Sequence, residues 1–277
     1  MSAIGHWVPR IEKMSRKLHR AILRDEPTYY DMFLNPGERF FARIYLREIR
    51  RVLESRDPRP LEVLDAGCQA GRLSVPLASA GHRVTGVDTS DLALRRAQRH
   101  AREAQTSLRL IRADLGKWLP RAAPSSFDVV VCTEVLYLRS NYRELLEGLL
   151  GVLRPGGFCF ISHRPTGYYL AEAAGRRDWE ATRTVLTQKE GTLFGSYYNW
   201  QTREDLERTY AELGINRLRI TPVGLLAWLV VPPDQLSEAE QEKLFEAEIA
   251  LAEQSSHPGR YLLVSGRKGS AAEEGLP

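Results

Sequence analysis

Hydrophobic positions recur along this chain with two different periods, and the places where the period switches outline its architecture. Ile11, Met14, Leu18, Ala21 and Ile22 fall at helical spacing, which predicts an amphipathic helix over residues 10–24. Residues 25–36 break that pattern and read as an aromatic loop. A second helix is predicted over about 37–54, with Phe40, Phe41, Ile44, Tyr45, Val52 and Leu53 on its apolar side. The linker at 55–60 stops it. From residue 61 to 161, short apolar runs alternate with helical ones. Strands are expected at 61–65, 83–87, 108–112, 127–132 and 157–161, and helices near 72–80, 90–104 and 140–153. That alternation argues for a parallel sheet covered on both faces. The run Phe127-Asp128-Val129-Val130-Val131-Cys132 is nearly all apolar, as a strand buried on both sides should be.

Residues 164–201 interrupt the alternation. A helix is expected over 170–179 and strands over 183–187 and 192–199, with Lys189-Glu190-Gly191 turning between them. This reads as an insertion over the sheet, a lid. Thr202-Arg203-Glu204-Asp205 then has the outline of a capping box, and Gly214 ends the helix it starts. A strand at 218–231, a helix at 237–254 and a last strand at 260–265 complete the pattern. Residues 1–57 are expected as an N-terminal helical cap, and 58–277 as one domain carrying the lid.

The chemistry gathers where strands end. After the first strand comes Asp65-Ala66-Gly67-Cys68-Gln69-Ala70-Gly71, a turn whose glycines let a ligand approach the backbone, followed by a helix whose N–H groups point outward. The second strand ends in Asp88, an acid placed to accept hydrogen bonds from the two hydroxyls of a ribose. Asp114 follows the third strand and Glu134 the fourth. All four acids thus lie at carboxyl ends of parallel strands, where open α/β sheets bind ligands. The first two strands read as a site for a nucleoside-containing cofactor. The turn spacing is G-x-x-x-G, without the G-x-G-x-x-G of nicotinamide-binding domains.

Five segments in this order resemble the class I S-adenosylmethionine-dependent methyltransferases. They are Leu64-Asp65-Ala66-Gly67-Cys68-Gln69-Ala70-Gly71, Gly86-Val87-Asp88-Thr89-Ser90, Ala113-Asp114-Leu115, Phe127-Asp128-Val129-Val130 and Leu153-Arg154-Pro155-Gly156-Gly157. The resemblance is detailed over about 60–162 and looser to the last strand. It implies an α/β, Rossmann-like, seven-stranded, mostly parallel sheet whose last strand is antiparallel, and S-adenosyl-L-methionine as cofactor. It assigns Gly67, Cys68 and Gly71 to the methionine part, Asp88 to the ribose, Asp114 and the Leu115 backbone to the adenine, and Asp65 to support of the turn, and counts Thr89 among the cofactor-binding residues. The chain departs from the family at Gln69, where the usual turn has a glycine. The backbone there must either avoid the left-handed region or carry strain.

Glu134 faces the methionine end of the cofactor or caps the following turn. His163, after the fifth strand, is the candidate base for a hydroxyl acceptor, because an ordinary histidine titrates near neutrality. Tyr29, Tyr30, Tyr197 and Trp200 are candidates for an aromatic acceptor pocket, against a plain role in packing the lid.

Of the 277 residues, 43% are hydrophobic and 27% charged, which suits a packed core, and the net charge is +4. Arg95, Arg96, Arg99, His100 and Arg102 read as a solvated helix face, as do Arg16, Lys17, Arg20 and Arg24. Nucleic acid is therefore not the expected partner, although an RNA-modifying methyltransferase and a non-catalytic scaffold of the same fold remain as alternatives. Three widely spaced cysteines suit a reducing compartment and give neither a disulfide framework nor a metal site. The longest apolar stretch, 223–231, is about half of a membrane span. The expectation is a cytoplasmic monomer or homodimer that methylates a small molecule.

Overall fold

The computed structural model describes residues 31–54, 59–227 and 233–269. The helix expected over 10–24 lies outside them, as do Tyr29 and Tyr30. Seven strands form the main sheet: β1 (Glu62–Ala66), β2 (Arg83–Asp88), β3 (Arg109–Arg112), β4 (Phe127–Cys132), β5 (Leu153–His163), β8 (Ile215–Val223) and β9 (Tyr261–Lys268). Their order is β3-β2-β1-β4-β5-β9-β8. β1 to β5 run parallel, and β9 is antiparallel to both of its neighbours. The seven-stranded, mostly parallel sheet expected from the sequence is present, and β9 is its antiparallel last strand.

Period-two alternation along these strands builds two apolar layers. One face carries Leu64, Val130, Cys159, Ile161 and Val264. It packs beneath α4 (Leu115–Trp118), α5 (Tyr142–Val152) and α8 (Arg203–Glu212). The other carries Val63, Val129, Val131, Phe160 and Leu263. It lies beneath α1 (Pro36–Leu53), α2 (Ser74–Ser79) and α9 (Glu238–Gln254). α1 is thus a layer of the sheet's own core, with Phe40, Ile44, Tyr45 and Ile49 buried against the strands. Burying each such side chain contributes about 1.5–3 kcal/mol. Asn35 starts α1, its side chain accepting from the Gly37 and Glu38 N–H groups, with Pro36 at the first helical position. The approach to α1 is fixed where the Asp31 carboxylate meets His100 Nε2 at 2.9 Å and Phe33 stacks on the same ring. His100 belongs to α3 (Asp91–Glu103) and turns inward, while Arg95, Arg99 and Arg102 of the basic run stay exposed.

The segment expected as a lid differs in detail from its sequence pattern. Residues 183–187 are helical rather than extended: α6 (Thr166–Gly175) and α7 (Trp179–Thr187) occupy the region. The Asp178 side chain caps α7 by accepting from the Ala181 N–H. Ala181 and Val185 then fall on one helical face, the i, i+4 spacing that a strand reading cannot use. The hairpin β6 (Glu190–Leu193) and β7 (Ser196–Asn199) turns at Phe194-Gly195, not at Lys189-Glu190-Gly191. Trp200 and Tyr169 fill a small core of this unit's own. Asn199 Nδ2 donates to the Leu136 and Arg139 carbonyls at 2.9 and 3.2 Å, docking the hairpin on the loop after β4. Among the described residues no helix is long and apolar enough to cross a membrane.

Candidate active site

Four strand ends and α1 meet at one cavity of about 550 Å³ on the carboxyl edge of the sheet. Gly67, Cys68 and Gln69 line it from the turn after β1, Asp88 and Thr89 from the end of β2. Ala113 and Leu115 come from the loop after β3, and residues 133–135 from the loop after β4. Asp65 reaches it from β1 and Glu38 from α1.

The turn is tied to the second strand. The Gly67 and Cys68 N–H groups both donate to the Val87 carbonyl, at 2.8 and 3.2 Å. Gly67 has φ +81°, and a Cβ there would stand 2.4 Å from Val135 Cγ2, so conformation and space both require glycine. Gln69 does enter the left-handed region, at φ 49°. Its N–H donates to Asp88 Oδ2 at 3.0 Å and its side-chain oxygen accepts from Ala70 N–H. These local bonds offset a conformational cost of roughly 1–2 kcal/mol. Asp88 Oδ1 also accepts from Ser90 N–H at 2.8 Å. A carboxylate offers about four acceptor sites, so about half of its capacity still faces the cavity.

Behind the turn the charges are arranged as a bridge. Arg72 Nη1 donates to Glu38 Oε2 at 2.8 Å and to Glu134 Oε1 at 2.9 Å, and Nη2 donates to Thr133 Oγ1 at 3.1 Å. All four residues line the cavity. Glu134 also accepts from the Tyr261 hydroxyl at 2.8 Å. Burial would raise its pKa, but the Arg72 charge, the Tyr261 hydrogen bond and the Arg164 charge together hold it below the ordinary value. Glu38 goes the other way: burial and the Glu134 charge raise its pKa against the pull of Arg72. Glu134 sits at φ 63°, a strained conformation fixed by its N–H donating to Ser162 Oγ at 2.7 Å. Asp65 is buried and accepts from Ser74 Oγ at 2.6 Å. Burial pushes its pKa up to about 6, with Asp88 adding to the rise and Ser74 and Arg72 opposing it.

The structure therefore brings together Asp65, Gly67, Cys68, Asp88, Thr89, Leu115 and Glu134. Other expected site residues stand elsewhere. Gly71 shapes the turn at φ +87° without lining the cavity. Asp114 is not among the lining residues; its carboxylate accepts from Gly116 N–H at 2.9 Å and from Arg139 Nη2 at 2.8 Å. Arg139 itself lines the cavity. His163 does not reach it. Alternation along β5 puts His163 on the same face as Cys159 and Ile161, buried against α8, where Nε2 and the Tyr210 hydroxyl share a 2.8 Å hydrogen bond. Burial drops its pKa to about 3, which removes it as a base for the cavity. Trp200 is fully buried in the lid, its Nε1 donating to the Val185 and Gln188 carbonyls. Tyr197 donates to Glu190 within its own hairpin. Glu38, Arg72, Tyr137 and Arg139 line the cavity although the sequence pattern did not single them out. Arg72 follows Gly71 directly and was legible as a turn residue. Glu38 looks like an ordinary first-turn acid of a helix.

Comparison with known proteins agrees with this geometry. Residues 63–157 match the family model described as a methyltransferase domain. Among curated proteins, a ubiquinone biosynthesis O-methyltransferase of Albidiferax ferrireducens is 37% identical over 113 residues, covering 40% of this chain and 45% of that one. The corresponding protein of Idiomarina loihiensis is 37% identical over 103 residues, 36% of this chain and 41% of its own. The match thus spans less than half of either relative. Among solved structures, the magnesium protoporphyrin IX methyltransferase of Synechocystis with bound S-adenosylhomocysteine has TM-score 0.54 at 17% identity, over 84% of this chain and 85% of that one. The 1,6-didemethyltoxoflavin-N1-methyltransferase of Burkholderia thailandensis has TM-score 0.54 at 18% identity, over 93% and 92%. These two share the fold. Over residues 63–157 the sequence match is to a methyltransferase domain, and the sheet order and the turn after β1 agree with the resemblance to the class I S-adenosylmethionine-dependent methyltransferases.

Proposed function

We propose that this protein is an S-adenosylmethionine-dependent methyltransferase that transfers the methyl group directly to oxygen or nitrogen of a small molecule. The observation that carries the reading is the cavity, built at the carboxyl edge from the ends of β1, β2, β3 and β4. Its donor set suits the cofactor. Asp88 keeps acceptor capacity for a ribose diol. Ala113, Leu115 and Leu138 offer apolar surface for a flat base. Asp65 and Glu134 line the cavity as carboxyl groups, whose negative charge would attract a bound sulfonium. The names of the curated relatives favour oxygen as the acceptor atom.

When bound, the cofactor supplies an electrophilic methyl group already activated by positive charge. The chain's own task is to align a nucleophile and exclude water. Glu134, pinned by Arg72 and Tyr261, keeps its charge and is suited to electrostatics rather than to taking a proton. Glu38, whose pKa is raised, is the carboxyl suited to accept a proton from a hydroxyl acceptor.

Asp88→Ala is expected to weaken S-adenosylhomocysteine binding by about 1.5–3 kcal/mol, the range for hydrogen bonds to a charged group. Calorimetry on the folded variant measures this. Unchanged affinity would remove Asp88 from the site, and no binding to the wild-type chain would favour a non-catalytic scaffold.

A further inference from the structure

Behind Tyr137 and Glu134 stands a group of charges that cofactor binding leaves unused. Arg164, just past the end of β5, is 5% exposed. Its guanidinium carbon lies 4.6, 4.0 and 4.1 Å from the ring centres of Tyr137, Tyr168 and Tyr261. Nη2 donates to the Tyr137 and Tyr261 hydroxyls at 3.2 and 3.1 Å, and Nη1 donates to the Arg260 carbonyl at 3.4 Å. Its Nε–H is buried and has no acceptor. Arg260 is partly exposed and repeats the pattern. Its guanidinium lies over Phe41 and Tyr261, and its Nε–H is also buried without an acceptor.

Among the described residues neither arginine forms an ion pair with a carboxylate. Glu134, whose charge interacts with both arginines, and Glu38, whose charge interacts with Arg260, are already bonded to Arg72. Stacking on tyrosine faces compensates a buried cation only in part. α6 adds to the excess. It begins at Thr166 with no side-chain cap, and the Thr166 hydroxyl is buried without a partner. A helix start carries positive potential. Among the described residues, donors and positive charge therefore outnumber acceptors at this spot, and Tyr137 belongs both to it and to the cavity wall.

We propose that Arg164 and Arg260 anchor an anionic group of the methyl acceptor, the carboxylate of a small aromatic acid whose ring lies among the tyrosines. Each arginine keeps a buried Nε–H without an acceptor among the described residues, and a hydrogen bond from a guanidinium to a carboxylate is charge-assisted. Tyr137, which accepts from Arg164 and lines the cavity, links the two places. Calling the ligand the methyl acceptor rests on the methyltransferase reading; the anion site does not.

The probe is benzoate, titrated by calorimetry into the full chain at low salt, with and without S-adenosylhomocysteine. Acetate serves as the anion without a ring. Benzoate is expected to bind the wild-type chain at about millimolar affinity or better, and more tightly than acetate. Arg164→Gln and Arg260→Gln are each expected to lose about tenfold or more in benzoate affinity while S-adenosylhomocysteine affinity stays within about twofold. Should Arg164→Gln fail to fold, Arg260→Gln at the more exposed position decides. No benzoate binding at about 20 mM, or undiminished binding by Arg260→Gln, overturns the proposal. Benzoate binding without any S-adenosylhomocysteine binding would leave the anion site standing and remove the methyltransferase reading.

Discussion

Arg72→Met is expected to cost about 3–5 kcal/mol of folding stability near neutral pH, the range for breaking a buried ion pair from one side. Arg72 donates to both Glu38 and Glu134, whose side chains are each 18% exposed. Methionine fills much of the volume and neutralises neither. The two carboxylates are then left facing each other, and only the Tyr261 hydroxyl still donates to Glu134. The loss should depend on pH. In the wild-type chain the depressed Glu134 pKa contributes stability above its unfolded value, and that contribution fades as pH falls through the folded one. In the variant both carboxyl pKa values rise, so protonation relieves the repulsion as pH falls. The gap between the two proteins should therefore be widest above about pH 7 and narrow towards about pH 5. Urea unfolding at both ends of that window measures it. A loss below about 1 kcal/mol would mean that the bridge behaves as an exposed ion pair.

Asp65→Asn should move stability the other way. The Asp65 pKa is about 6 in the folded chain against an unfolded value near 3.8. A raised carboxyl pKa means that the folded state binds more protons between those values. The stability this gives is fully present below about pH 4 and is lost as pH rises through about 6. Above that, ionised Asp65 costs about 3 kcal/mol relative to its neutral form, at roughly 1.4 kcal/mol for each tenfold change in proton affinity. Asparagine stays neutral and can still accept from Ser74. The variant should therefore be more stable than the wild-type chain at about pH 8, with the advantage vanishing near about pH 4. The same exchange removes a negative charge from the cavity wall and should weaken cofactor binding, a trade of function for stability. Equal stability of the two proteins at all these pH values would show that Asp65 titrates like an exposed carboxylate.

The sheet and the strand-end wall of the cavity were legible because their signals are local. Gly67, Asp88 and Leu115 each sit within a few residues of a strand end, and a strand end is visible in the pattern of apolar runs. The bridge was not legible. Glu38, Arg72 and Glu134 belong to three separate elements, and only the packing of α1 on the sheet brings them together. His163 was misplaced by a question of parity. Position along β5 put it at the right edge, but a strand's side chains alternate, and His163 falls on the α8 side while its neighbour Ser162 reaches Glu134. In the lid, the run at 183–187 is too short for its period to be read, so its β-branched residues suggested a strand where the Asp178 cap makes a helix. Trp200 and Tyr169 show why aromatic clustering misled: the lid needs a core of its own before it can cover anything.

The place of β9 between β5 and β8 bears on how the chain is made. β5 emerges from the ribosome with its apolar residues Phe158, Phe160 and Ile161 and a free hydrogen-bonding edge. The strand that will cover that edge, Tyr261–Lys268, is synthesised roughly a hundred residues later, which at typical elongation rates is about 5–20 s. β8 is made earlier but among the described strands pairs with β9 alone, so it cannot shield the edge in the interval. Nascent chains that have passed β5 but not β9 are thus the species most prone to mispairing. A slow stretch of translation within residues 164–260 should lower the yield of folded protein more than one placed before β5.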